Sequence, residues 1–115
     1  MMKLLVQKYG GSSLSDSNKI VKLAKQIGER VNNGFSILAV VSAMGDTTDH
    51  LISLAKEVSH QPQEREMDLL LSTGEMVSST LMAMALRTAG YNSVALTGAQ
   101  AGIRTNTTHG KALIS

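Results

Sequence analysis

The chain has 115 residues, 43% hydrophobic and 17% charged, a mix that supports one globular core and a single domain. It contains no cysteine, which excludes disulfides, zinc–thiolate centres and thiol nucleophiles. Eleven Lys/Arg against nine Asp/Glu leave a formal charge of +2, and there is no tryptophan, so neither a strong polyanion field nor a base-stacking platform marks nucleic acid as a partner.

The first residues, Met1-Met2-Lys3-Leu4-Leu5-Val6-Gln7-Lys8, interrupt their apolar stretch after three positions, too soon for a signal-peptide core. No uninterrupted apolar run reaches membrane-spanning length, so the expectation is a cytoplasmic protein without a membrane partner. Residues 3–8 predict a short buried strand that stops at Gly10-Gly11. Ser15 or Asp16 caps a predicted helix reaching about Asn33, with Ile20, Ala24, Ile27 and Val31 as its apolar stripe and Gly34 as its stop. Lys19, Lys22, Lys25 and Arg30, interspersed with Glu29, read as the solvated face of that helix. Residues 35–41 form a second predicted strand, apolar on both faces, as in a parallel sheet covered on two sides.

A loop over 42–47 leads into a second helix whose buried stripe is Leu51, Leu54, Ala55 and Val58. Pro62 lies in the following connection, and Glu64, Glu66 and Asp68 suit the positive start of a third helical segment. That segment, 65–89, is interrupted in pattern at Ser72-Thr73-Gly74. Glycine costs about 1 kcal/mol against alanine inside a helix, so Gly74 marks either a break or a place of close approach. Met76, Val77, Leu81, Met84 and Ala85 continue an apolar face, Met67, Met76, Met82 and Met84 read as core filler, and Gly90 ends the segment. Residues 93–97 predict a third strand, and 111–114 the start of another. The alternation is that of an α/β domain with a mainly parallel sheet.

Parallel strands share one C-terminal edge, and ligands of open α/β sheets bind there. Three predicted strand ends run into small, polar loops: Tyr9-Gly10-Gly11-Ser12-Ser13, Ser42-Ala43-Met44-Gly45-Asp46-Thr47-Thr48 and Thr97-Gly98-Ala99-Gln100-Ala101-Gly102. Lys8 with Gly10 and Gly11 suits phosphate binding, by an ammonium and backbone amides, as well as a plain strand-to-helix turn. Neither G-x-G-x-x-G nor G-x-x-x-x-G-K-[ST] is present. For Thr47 or Thr48, capping the second helix is favoured by spacing over ligand contact, and the two roles can coexist. Glu75 suits recognition of an amine or a metal, or simple solvation. His50, His60 and His109 lack metal-ligand spacing and read as surface residues.

Taken together, Lys8-Tyr9-Gly10-Gly11-Ser12-Ser13, Val40-Val41-Ser42-Ala43-Met44-Gly45-Asp46-Thr47-Thr48, Arg65-Glu66-Met67-Asp68, Leu71-Ser72-Thr73-Gly74-Glu75 and Leu96-Thr97-Gly98-Ala99-Gln100-Ala101-Gly102 resemble, in order and spacing, the aspartokinase branch of the amino-acid kinase family. His109-Gly110-Lys111-Ala112 resembles the family's continuation into its next strand. The resemblance implies a three-layer α/β/α, carbamate kinase-like fold. Residues 1–115 would form the N-terminal half of the catalytic domain, without the regulatory ACT domains and inactive alone. It implies transfer of the γ-phosphoryl group of ATP, with Mg²⁺, to the side-chain carboxylate of L-aspartate, in a homo-oligomeric intact enzyme. By the same resemblance, Lys8, Tyr9, Gly10 and Gly11 form the ATP phosphate site, with Lys8 assisting transfer. Ser42, Thr48 (or Thr47) and Glu75 lie on the aspartate side, Glu75 meeting the ammonium. Two alternatives stand beside this reading: a family member acting on another acceptor, and a non-catalytic module that binds or assembles.

Overall fold

The structure, a computed structural model, describes residues 3–97. Along the chain come β1 (Lys3–Tyr9), a 3₁₀ turn (Gly11–Leu14), α1 (Ser17–Asn32), β2 (Phe35–Val41), α2 (Thr47–Val58) and α3 (Glu64–Thr88). β1 and β2 pair in parallel, with Leu5 opposite Ile37 and Tyr9 opposite Val41. The segment predicted as a strand at 111–114, His109 and most of the third loop lie outside the described residues.

α1 forms where its sequence predicts. Asp16 sits in extended backbone and its Oδ1 accepts the Lys19 N–H at 2.8 Å, satisfying one of the orphan amides of the first turn. At the other end Gly34 takes φ +93°, a conformation that favours glycine, and its N–H bonds the Val31 carbonyl. The buried face is Ile20, Leu23, Ala24, Ile27 and Gly28, while Val31, expected in the stripe, is partly exposed. Leu14, carried by the 3₁₀ turn between β1 and α1, is wholly buried in the same core with Met82 of α3. Each such aliphatic side chain contributes about 1.5–3 kcal/mol by leaving water.

The sheet has one covered and one open face among the described residues. Gln7, Tyr9, Ile37, Ala39 and Val41 face the helices, whereas Leu4 (69% exposed), Val6 (59%), Leu38 and Val40 do not. The expected second covering layer is therefore not supplied by residues 3–97.

α2 and α3 depart from their predicted stripes. On α2, Leu51, Ile52 and Ala55 are half-buried, but Leu54 is exposed and Val58 is 88% exposed. α3 runs unbroken for 25 residues through Ser72-Thr73-Gly74. The hydroxyls of Ser72 and Thr73 turn back onto the carbonyls of Leu69 and Leu70, both at 2.6 Å, and so stay inside the helical ladder. Its buried face is Gly74, Ser78 and Met82, whereas Met76, Val77, Leu81 and Met84 are exposed, so of the methionines read as core filler only Met82 is fully buried. By length and composition α3 is apolar enough to cross a membrane, with a mean hydropathy of 1.4 over 18 residues, yet its small-residue face packs against α1, α2 and β2.

Residues 93–97 do not form the predicted strand. Ser93 is held instead by α3 through one side chain and one main-chain group: its carbonyl accepts from Arg87 Nε at 3.0 Å and its Oγ donates to the Ala83 carbonyl at 2.7 Å. Just before it, the Tyr91 ring lies directly over Gly28 of α1, where any side chain would collide, and its hydroxyl accepts from Asn32 Nδ2 at 2.9 Å.

Candidate functional site

Two of the three predicted loops fall within the described residues, and they are bonded to each other. The Ser42 N–H donates to the Tyr9 carbonyl at 3.1 Å, carrying the parallel ladder one residue past β2, and the Gly45 N–H donates to the Gly11 carbonyl at 3.1 Å. Gly11 fits this contact closely, because a Cβ there would stand 3.1 Å from the Ala43 carbonyl oxygen and the loops would have to part by a few tenths of an ångström. Gly10 faces open space, where an added Cβ meets nothing within 4 Å. The 3₁₀ ladder starts with the Ser13 N–H on the Gly10 carbonyl, so the Gly11 and Ser12 N–H groups precede its first bond.

Lys8 and Tyr9, neighbours in sequence, leave β1 on opposite faces. Lys8 follows Leu4 and Val6 on the open face, where its ammonium is exposed. Tyr9 packs against the core, and its hydroxyl donates to Gln7 Oε1. Arg30 Nη1 donates to the same Gln7 oxygen and, at 3.3 Å, to the Tyr9 hydroxyl. The Tyr9 side chain is thus committed to the helix side of the sheet, and what it presents at the loop edge is backbone. Arg30 correspondingly leaves the solvated face predicted for it and is half-buried, while Lys19, Lys22, Lys25 and Glu29 remain exposed.

On the other side of the same edge, α3 touches the second loop at Gly74. A Cβ on Gly74 would lie 2.9 Å from Ala43 Cβ, 3.5 Å from Thr47 Cγ2 and 3.7 Å from Leu51 Cδ1. Gly74 therefore serves close approach and not a break, and it sets the exposed Glu75 next to the loop that contains Ser42, Thr47 and Thr48, all three half-buried. Of the two threonines, Thr47 is the one against Gly74. Neither caps α2: Asp46 occupies the N-cap position, its side chain makes no capping bond, and the Thr47 N–H bonds the Met44 carbonyl at 2.9 Å.

The fold therefore joins the Gly10–Gly11 turn to the loop that holds Ser42, Thr47 and Thr48 and packs Gly74, the residue before Glu75, against that loop, while Lys8 lies on the open face of the sheet. Sequence reasoning missed two supporting groups. Ser78 is fully buried and its Oγ donates to the Gly74 carbonyl at 3.2 Å, bracing the turn that carries Glu75; a small residue one turn after Gly74 was the available signal. Arg30 gave no signal of its bond to Gln7, 23 positions away. His50 and His60 are exposed as expected, and among the described residues no three His, Asp or Glu side chains are placed to hold a metal ion.

Comparison with known proteins converges on one group. An aspartokinase of Geobacillus stearothermophilus is 51% identical over 113 residues, and aspartokinase 2 of Bacillus subtilis 50% identical over 114 residues, covering 98% and 99% of this chain. The chain spans 28% of the length of each of these relatives. A crystal structure of aspartate kinase from Synechocystis matches with a TM-score of 0.82 at 46% identity, over 85% of this chain and 17% of that one. The resemblance in fold confirms a partial α/β kinase-type domain. The sequence profile of the amino acid kinase family fits residues 3–114, so the strand, glycine loops and helices described above are those of a family member, and the chain belongs to the amino acid kinase family.

Proposed function

We propose that residues 1–115 are the N-terminal half of the catalytic domain of an aspartate kinase, an enzyme that makes 4-phospho-L-aspartate from L-aspartate and ATP. The observation that supports this reading is the docking of Gly74, the neighbour of Glu75, on Ala43 and Thr47 of the loop whose Gly45 bonds Gly11. Similarity near 50% to aspartokinases supports the choice of substrate.

The chemistry fits the residue types. The acceptor carboxylate has an ordinary pKa near 3.9, so it is already ionised at neutral pH and needs no general base. One of its oxygens attacks the γ-phosphorus, the bond to the β,γ-bridging oxygen breaks, and ADP leaves. The obstacle is bringing two anions together, which calls for positioning and positive charge. Lys8 supplies an ammonium on a flexible stem, and the amides of the Gly10–Gly11 turn hold phosphate oxygens that do not react. The Glu75 carboxylate pairs with the substrate ammonium, while Ser42 and Thr47 or Thr48 hydrogen-bond the rest of the amino acid. Mg²⁺, where bound, screens the phosphates. Such an enzyme serves lysine, threonine and methionine biosynthesis in the cytoplasm and acts as a homo-oligomer.

The test uses isotope-labelled chain titrated with ATP. Amide resonances of Gly10 and Gly11 are expected to shift, and Lys8→Ala to weaken binding about tenfold or more while leaving the unfolding midpoint nearly unchanged. Equal ATP affinity in a folded Lys8→Ala chain overturns the assignment. The purified 115-residue chain is expected not to form aspartyl phosphate, and turnover by it would overturn the half-site reading.

A further inference from the structure

The Gly10–Gly11 turn has no side chain of its own to hold it. Gly10 is exposed, with nothing within 4 Å of where a Cβ would stand, and glycine has the freest backbone of any residue. Where the turn sits is therefore decided by its two flanks. After it, Leu14 is wholly buried in the core and fixes the far end. Before it comes Tyr9, whose ring packs against the same core and whose hydroxyl is held at the tip.

The hold on that hydroxyl crosses from one element to another. Tyr9 donates to Gln7 Oε1 on its own strand, and Arg30, in the last turn of α1, donates through Nη1 to the same oxygen and, at 3.3 Å, to the Tyr9 hydroxyl. A single guanidinium thus ties the strand to the helix packed beneath it. A rigid ring held in its rotamer at the tip leaves little freedom to its own Cα. The main-chain groups beside that Cα are those that build the loop edge: the Tyr9 carbonyl takes the Ser42 N–H at 3.1 Å, and the Gly10 carbonyl takes the Ser13 N–H at 3.1 Å. A second cation also reaches the turn, since Lys19 Nζ donates to the Ser12 carbonyl at 3.3 Å, but Lys19 is exposed and its bond competes with water. Arg30 is half-buried, where a charge-assisted bond is better shielded and stronger.

We propose that Arg30 is a positioning residue: through Gln7 and Tyr9 it holds the Gly10–Gly11 turn in the geometry that receives phosphate. The inference rests on the reading of that turn as the ATP phosphate site, and it assigns Arg30 an effect on the nucleotide that passes only through Tyr9.

Two measurements on the 115-residue chain test this, one of them blind to nucleotide. In Arg30→Met, hydrogen exchange at the Ser42 and Gly45 amides is expected to quicken about tenfold or more relative to the Ile27 amide, which lies within α1 and reports opening of the core. A side chain that only added stability would quicken all three together. ATP affinity is expected to fall about threefold or more. Arg30→Lys, which keeps the charge but not the planar fork, is expected to recover part of both effects. Lys22→Met removes the same charge from the exposed face of α1 and is expected to change neither. Exchange at Ser42 and Gly45 that stays at the wild-type rate in Arg30→Met, or rises only in step with Ile27, overturns the proposal. So does a loss of ATP affinity in Lys22→Met equal to that in Arg30→Met, which would make net charge the cause. The two readings also fail separately. If Lys8→Ala loses ATP while Arg30→Met keeps wild-type affinity, the phosphate site stands and Arg30 does not position it. If Lys8→Ala keeps ATP affinity while Arg30→Met still frees Ser42 and Gly45, Arg30 holds the turn and the kinase reading is the one overturned.

Discussion

α1 and α3 pack in the same layer on the same sheet, yet they meet the core by opposite means. α1 buries large aliphatics, Ile20, Leu23 and Ile27, and exposes lysines. α3 buries Gly74 and Ser78 with Met82, and exposes Leu69, Met76 and Met84. The contrast shows that an apolar stripe is not by itself a core stripe. Where a helix must approach a neighbouring loop closely, as α3 does at the Ala43 side chain, small residues take the inner face and bulk is displaced outward.

The comparison can be broken most severely in α1. Ile27→Ala removes a side chain only 2% exposed and is expected to cost about 2–5 kcal/mol in urea unfolding. On α3 the damaging change is in the other direction: Gly74→Val forces a branched side chain into space already within contact of Ala43 and Thr47, for an expected loss of about 2 kcal/mol. Asp16→Ala deletes the side-chain acceptor at the start of α1 and is expected to lower stability by about 1 kcal/mol in the same assay. Met84→Ala is expected to change stability by less than about 0.5 kcal/mol, although it removes a side chain of about the same size. A cost for Met84→Ala like that of Ile27→Ala would erase the distinction between the two helices.

Legibility from sequence followed the same divide. α1 was readable because its signals are local: a capping Asp16, a period-3.6 apolar stripe and a terminal Gly34. β1 and β2 were readable as short apolar runs bounded by glycine. α3 was readable as helical but not in its facing, since the choice of inner face depends on a loop 30 positions earlier in the chain. Gly74 illustrates this, as its propensity penalty is a local fact and its contact with Ala43 is not. The expected strand at 93–97 failed because two bonds to α3 hold Ser93 away from the ladder. For the site, the convergence of the first two loops followed from topology. Which threonine stands by Gly74, and that Tyr9 turns away from Lys8, are matters of side-chain direction that motif spacing does not carry.

The cross-bond from Gly45 to Gly11, with that from Ser42 to Tyr9 beneath it, has a mechanical effect. Two turns riveted through their main chains, and rooted in the same pair of strands, form a fixed platform that cannot open like jaws. Amide exchange at Gly45 would track the intactness of the rivet directly.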